Sequence, residues 1–324
     1  MIQVEKLTKH FKGFAAVREI SFTVGEGEFF GFLGPNGAGK TTTIKILATL
    51  LRPTAGSARI NGYDVVREAL AVRRSIGIVF QDPSLDDRLT GRENLQLHAL
   101  LYAVPRREIK SRIDDLLELV GLAQRQHQLV KKYSGGMKRR LEIARGLLHQ
   151  PGVLFLDEPT VGLDPQTRSH IWEYIGEIRK KRGATVFLTT HYIGEAEACD
   201  RVGIIDHGRI AALDAPEALK AAVNTGMVTL EAEDPPELLR IIRDHLGLKA
   251  ACDGRIIQVP AGNGAGERLV PKLAALPGLT ALSIRKPTLE DVFLHLTGRA
   301  IREETADGLD RMREIRRASF RRGR

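Results

Sequence analysis

Cysteine is nearly missing from this sequence: Cys199 and Cys252 are the only two in 324 residues, far apart and outside any C-x-x-C spacing. That excludes a disulfide framework and a zinc cluster, and a reducing cytoplasm fits best. Long apolar runs are missing too. None approaches the ~20 residues that a membrane helix needs, so the chain is not expected to cross a bilayer itself. The start, "MIQVEKLTKH", alternates apolar and polar residues and lacks the basic-then-apolar layout of a signal peptide. The body also lacks a strong charge of either sign. Net charge is +9, which alone would suggest a nucleic acid or an anionic surface as partner. Residues 311–324, however, hold seven arginines against the single acid Glu314, so +6 sits in that stretch and only +3 in the rest.

What is present is a chain with 43% hydrophobic residues, long enough to suggest two domains. Up to about residue 80 the texture is mostly strand-like ("IQVEKLTK", "ISFTV", "EFFGFL", "SARING", "IGIVF"). A helix is predicted from Thr41 to Leu51, with Ile44, Leu47 and Leu51 on one face. Residues from about 83 to 148 read as helices, one opened by the capping box Thr90–Glu93. Asp164 is placed to cap another, with Pro165 in its first turn and Ile171, Ile175 and Ile178 as its buried stripe. "VLFLDEP" and "ATVFLTTH" are apolar without alternation, as buried parallel strands are, and their order implies a doubly wound α/β sheet. Beyond Leu219 short strands interleave with helices, and a second box, Thr288–Asp291, precedes "VFLHL". The expected division is a doubly wound α/β domain over 1–220, a small α+β domain over 221–298 and a basic, mobile or conditionally helical tail over 299–324.

"GPNGAGKT" fits G-x-x-x-x-G-K-[ST] and lies between a predicted strand and a predicted helix. Gly34, Gly37 and Gly39 allow backbone N–H groups to curl around a β-phosphate, with Pro35, Asn36, Ala38 and Thr42 completing the cradle. Lys40 reaches the β and γ oxygens, and Thr41 offers its hydroxyl to Mg²⁺. In "VLFLDEPT", Asp157 ends a buried strand toward the metal, and Glu158 is placed to orient or deprotonate a water. Alone, that acidic pair would read as a solvated turn. His191 and Gln81 each follow an apolar strand, where ligands bind in doubly wound sheets. Each is otherwise a commonplace polar residue. "YSGGM", Tyr133 to Met137, adds a second glycine-rich helix start in a chain that already has a phosphate cradle.

Read in order, "GPNGAGKTT", Gln81, "YSGGM", "LFLDEPTVGLD" and "TTH" resemble the nucleotide-binding subunit of an ATP-binding cassette (ABC) transporter. The resemblance implies a P-loop NTPase fold with antiparallel β and helical subdomains, ATP and Mg²⁺ as ligands, and ATP hydrolysis coupled to transport. It implies that Phe11 stacks on adenine, where tyrosine is more usual, and that Gln81 links the metal to a transmembrane partner. It further implies that His191 senses the γ-phosphate, that Asp164 contacts a second subunit, and that Ser134, Gly135 and Gly136 form the signature motif. Tyr133 and Met137 depart from the usual leucine and glutamine of that motif. In this family two cassettes pack head to tail, and the signature of one closes over the ATP of the other. That would account for two cradles in one chain.

"LDPQTRSHIWEYI", "FLTTHYIGEAEACDRVGIIDHGRI" and "KPTLEDVFLHLTGR" resemble daunorubicin-type drug-exporter ATPases, which work with a separate transmembrane permease. The expectation is a homodimeric ATPase at the cytoplasmic face, reaching the membrane only through that partner and taking no nucleic acid. The alternative is a soluble cassette ATPase acting on nucleic acid or ribosomes. Such proteins carry a long coiled-coil or zinc-bearing insertion, or a second cassette, and neither is present. A GTPase is disfavoured because no N-K-x-D element occurs.

Overall fold

The alternation at the start of the chain becomes β1 (Ile2–Phe11) and β2 (Phe14–Val24), an antiparallel pair in which Phe11 faces Phe14 across the turn. The computed structural model describes residues 1–297 except 83, 224–225, 249, 262–264 and 286; the basic tail expected over 299–324 lies outside the described residues. β3 (Phe29–Leu33) is buried at every position and delivers the chain to α1 (Lys40–Leu47). This helix stops before the predicted Leu51. Thr49 takes a left-handed φ of 63°, and the N–H groups of Leu50 and Leu51 turn back to Lys45 O at 2.9 and 3.0 Å.

β4 (Ala55–Ile60), β5 (Tyr63–Asp64), α2 (Ala69–Ser75) and β6 (Ile76–Val79) follow. Helix α2 departs from the strand-like reading of this region. It is too short to show a stripe, and Val72 is its one buried residue. Three helices come next: α3 (Gly91–Leu101), α4 (Arg106–Leu119) and α5 (Gly135–Leu147). α3 carries the expected capping box, and Ser134 caps α5 by accepting the Met137 N–H at 3.2 Å. Then come β7 (Val153–Asp157), α6 (Pro165–Arg182), β8 (Thr185–Thr190), α7 (Ile193–Ala196), β9 (Arg201–Asp206) and β10 (Arg209–Asp214). α6 starts on the Asp164 cap, and Ile171, Ile175 and Ile178 are buried.

An antiparallel sheet, β2-β1-β4-β5, and a six-stranded sheet, β10-β9-β3-β8-β7-β6, share the core. Strands β9, β3, β8, β7 and β6 run parallel, so β3, β8, β7 and β6 end side by side. Phenylalanine joins the two sheets. Phe22 stacks on Phe30 at 5.5 Å, Phe30 meets Phe187 at 5.3 Å, and Phe187 meets Phe155 at 5.4 Å. Each fully buried ring contributes about 1.5–3 kcal/mol.

This first compact unit spans Met1–Leu213; a second begins at Asp214 and includes α8 (Pro216–Ala222). Its remaining elements are β11 (Gly226–Ala232), α9 (Pro235–Asp244), β12 (Ala251–Asp253), β13 (Ile256–Ala261), α10 (Ala265–Ala274), β14 (Leu279–Arg285) and α11 (Leu289–Thr297). From β11 to β14 they run β-α-β-β-α-β, and the sheet order is β12-β13-β11-β14 with antiparallel neighbours, the ferredoxin-like arrangement. Val228, Leu230, Ile257 and Val259 pack with Leu238, Ile242 and Leu273 as its core. Thr288 opens α11 by donating its N–H to Asp291 Oδ2 at 2.8 Å.

Candidate active site

At the row of strand ends, a cleft of about 460 Å³ collects residues that follow β3, β6, β7 and β8. Its walls include Asn36, Gly37, Gly39, Lys40, Thr41 and Thr42 from the loop after β3, Gln81 after β6, Glu158 after β7 and His191 after β8. Phe11 lies at its rim. Two glycines leave no room for another residue. A Cβ on Gly34 would sit 2.3 Å from Ile205 O, and one on Gly39, whose φ is +110°, 2.5 Å from Ala16 O. Pro35 and Ala38 shape the same loop, with the Ala38 N–H donating to Pro35 O at 3.2 Å.

Lys40 is only 4% exposed. Its ammonium donates to Gly34 O at 2.7 Å and Pro35 O at 3.1 Å, and pairs with Glu158 Oε1 at 3.0 Å. His191 Nδ1 lies 3.3 Å from Glu158 Oε2, close enough for an ion pair but too oblique for a hydrogen bond. Burial pushes the Glu158 carboxyl up, yet His191 and Lys40 beside it outweigh burial and hold it at about 2. Glu158 also has a left-handed φ of 47°, a conformation uncommon for a side-chain-bearing residue. Its N–H is anchored to Thr189 O at 3.1 Å.

Asp157 sits one step deeper. Its Oδ1 accepts from Thr189 Oγ1 at 2.6 Å and from Thr41 Oγ1 at 3.2 Å. Burial raises its carboxyl, opposed first by the Thr189 hydroxyl. The hydroxyl of Thr41 and the carboxylate of Asp157 are hard oxygen donors in contact, the chemistry that Mg²⁺ takes. Among the described residues no cluster of three or more His, Cys, Asp or Glu residues could hold a metal. A site of this sort fits an ion that draws its other ligands from water and phosphate. A buried ammonium facing a glycine loop likewise fits a phosphate chain.

Ser134, Gly135, Gly136 and Asp164 do not line the cleft. They sit at two neighbouring helix starts: Ser134 caps α5, and Asp164 caps α6 through the Thr167 N–H at 2.9 Å. Gly136 is buried against Thr167, whose Cγ2 would be 2.4 Å from an added Cβ.

Several site residues escaped the sequence reading. Phe14, Ala16, Val161 and Tyr192 also line the cleft. "FKGF" hinted at Phe14, since a glycine turn between two aromatics pairs them. Arg139, Glu142 and Arg145, which the sequence does not single out, are 5%, 0% and 8% exposed. Arg139 donates to the carbonyls of Phe80 and Gln81, Arg145 to Ser84 O, and Glu142 accepts the Ser84 N–H at 2.8 Å. Helix α5 thereby grips the backbone that presents Gln81. No local pattern in the sequence announces such long-range bonds.

Residues 17–161 match the family described as ABC transporter. The chain is 40% identical over 304 residues to the daunorubicin resistance ATP-binding protein DrrA3 of Streptomyces coeruleorubidus, covering 92% of this chain and 96% of that protein. It is 36% identical over 312 residues to the linearmycin resistance ATP-binding protein LnrL of Bacillus subtilis (strain 168), covering 94% and 100%. Among solved structures, the ATP-binding cassette MJ0796, in a dimeric post-hydrolysis state bound to ADP and Pi, matches with a TM-score of 0.61 at 28% identity. That match covers 66% of this chain and 98% of MJ0796.

Proposed function

The chain belongs to the ABC transporter family, among its ATP-binding proteins, and from that premise we propose that it is the ATPase subunit of an exporter of drugs, antibiotics or other hydrophobic compounds. Its relatives are named for resistance to daunorubicin and linearmycin, which supports that cargo class. Among the described residues no helix is long and apolar enough to cross a membrane. A separate transmembrane permease would therefore hold it at the cytoplasmic face of the membrane.

The observation that carries this reading is the Lys40–Glu158–His191 cluster at the ends of β3, β7 and β8, beside the Thr41–Asp157 pair. Lys40 binds the β- and γ-phosphate oxygens, and in doing so leaves its ion pair with Glu158. Glu158, then paired only with His191, orients the attacking water and accepts its proton at a carboxylate oxygen. His191 holds the γ-phosphate side of the cleft, and Phe11 stacks against the base. Thr41, Asp157 and Gln81 are the residues that would hold Mg²⁺. When bound, the ion offsets charge on the phosphate oxygens.

Two such chains pack head to tail in this reading, with Ser134, Gly135, Gly136 and Asp164 serving the partner's nucleotide. Their position outside their own cleft supports that arrangement. Glu158→Gln tests the core of the proposal. Hydrolysis should fall about 10²–10⁴-fold, the usual contribution of a general base, while ATP still binds. Hydrolysis within a few-fold of the parent would refute the role of Glu158.

A further inference from the structure

One buried carboxylate touches both segments that carry Glu158 and His191, without itself lining the cleft. Glu195, in α7, is 4% exposed. Thr160 Oγ1 donates to its Oε1, and Thr190 Oγ1 donates to its Oε2 at 2.5 Å. The two threonines are 0% and 1% exposed. Thr160 follows Glu158 across Pro159, and Thr190 immediately precedes His191. The same Thr190 hydroxyl accepts the Tyr192 N–H at 2.9 Å, so the backbone on both sides of His191 is tied to this point.

The location of this tie matters. Strands β7 and β8 pair in register only as far as Asp157 opposite Thr189. The Glu158 N–H still reaches Thr189 O, but past that bond the sheet no longer fixes one segment against the other. Glu195 supplies the next link, a side-chain bridge where the backbone ladder ends. Its cost is a carboxylate out of water, and burial pushes its carboxyl up against the pull of the two hydroxyls and Arg168. An apolar side chain would fill this place without that cost, since buried ionised groups are poor stabilisers of a fold.

We propose that Glu195 is a positioning residue for ATP hydrolysis, holding the turn that carries Glu158 and the strand end that carries His191 at a fixed separation. The proposal rests on the reading of those two residues as the hydrolytic pair. Glu195 is not among the residues that line the cleft. It acts through two hydroxyls, so its effect belongs to turnover and not to nucleotide affinity.

Thr160→Val and Thr190→Val remove each hydroxyl at nearly constant volume, and Glu195→Gln replaces one acceptor by a donor. Each should lower kcat about ten- to a hundredfold, the range that follows small misplacements of reacting groups, with ATP affinity unchanged. Thr160→Ser and Thr190→Ser should restore turnover. Glu195→Gln combined with His191→Ala should be no slower than His191→Ala alone, because coupled groups are not additive. A second readout uses nucleotide-free protein. Hydrogen exchange in Thr190→Val should rise at the amides of Val161–Leu163 as well as at Tyr192, since one tie serves both segments. Turnover unchanged in the valine variants, losses that multiply with His191→Ala, or exchange confined to one segment would overturn the proposal. Hydrolysis that survives both Glu158→Gln and His191→Ala would overturn the assignment of the pair, and the role of Glu195 with it.

Discussion

Removing the Lys40 ammonium does two things, and they read out differently. It takes away the cation meant for phosphate, and it removes the ion-pair partner of the buried Glu158 carboxylate. ATP affinity of Lys40→Ala should fall about 10–100-fold, the usual worth of a charge-assisted bond. Titration calorimetry checks this, and unchanged affinity would contradict the phosphate-loop assignment. A second residue adds to the loss of stability in acid. Burial lowers His98 from 6.5 to about 4, with Arg145 and His149 adding to the effect. The unfolded chain thus binds a proton that the folded chain refuses between those values. His98 therefore costs nothing above pH 6.5, and stability should fall as pH drops from 6.5 toward 4. His98→Gln should flatten part of that slope in thermal melts; an unchanged slope would show that His98 is not its source.

At the scale of elements, the aromatic layer between the sheets decides whether the strand ends stay in a row. Phe187, on the central β8, touches Phe22, Phe30, Phe32 and Phe155. Phe187→Ala should destabilise the first unit by about 3–5 kcal/mol in denaturant unfolding, the range for a buried ring left as a cavity. A loss below about 1 kcal/mol would mean that the layer collapses to fill the gap. Much of this layout was legible beforehand. β7 and β8 announced themselves by unbroken apolar runs, and α3 and α6 by caps that the structure contains. The phosphate loop carried its own pattern. The end of α1 was not legible, because a left-handed Thr49 leaves no mark that distinguishes it from a helical threonine. Nor was the grip of Arg139, Glu142 and Arg145 on the Gln81 segment, because i, i+3 charges look alike whether solvated or buried. Glu195 was hidden because its partners come from separate segments, Thr160 from the turn after β7 and Thr190 from the end of β8.

At the scale of the whole molecule, the head-to-tail arrangement proposed above encloses each nucleotide between two chains. Within one chain Gly136 packs against Thr167 of α6, which decides how the proposed signature can be tested. Gly136→Asp would force a side chain into Thr167 and damage the fold, whereas a Cβ on Gly135 meets only Leu163 Cδ2 at 3.7 Å. Gly135→Asp is therefore the clean lesion, placing a carboxylate where the partner's γ-phosphate would lie. One subunit carries Lys40→Ala and the other Gly135→Asp, with Glu158→Gln in both to prevent turnover. In a head-to-tail pair one composite site holds both lesions and the other holds none. The decisive measurement is the ATP retained by cross-linked heterodimers assembled with the membrane partner. The account predicts about one ATP per heterodimer, from the single intact site of a two-fold pair, and almost none in either homodimer. No retained ATP in the heterodimers, beside full retention by the Glu158→Gln parent, would contradict it.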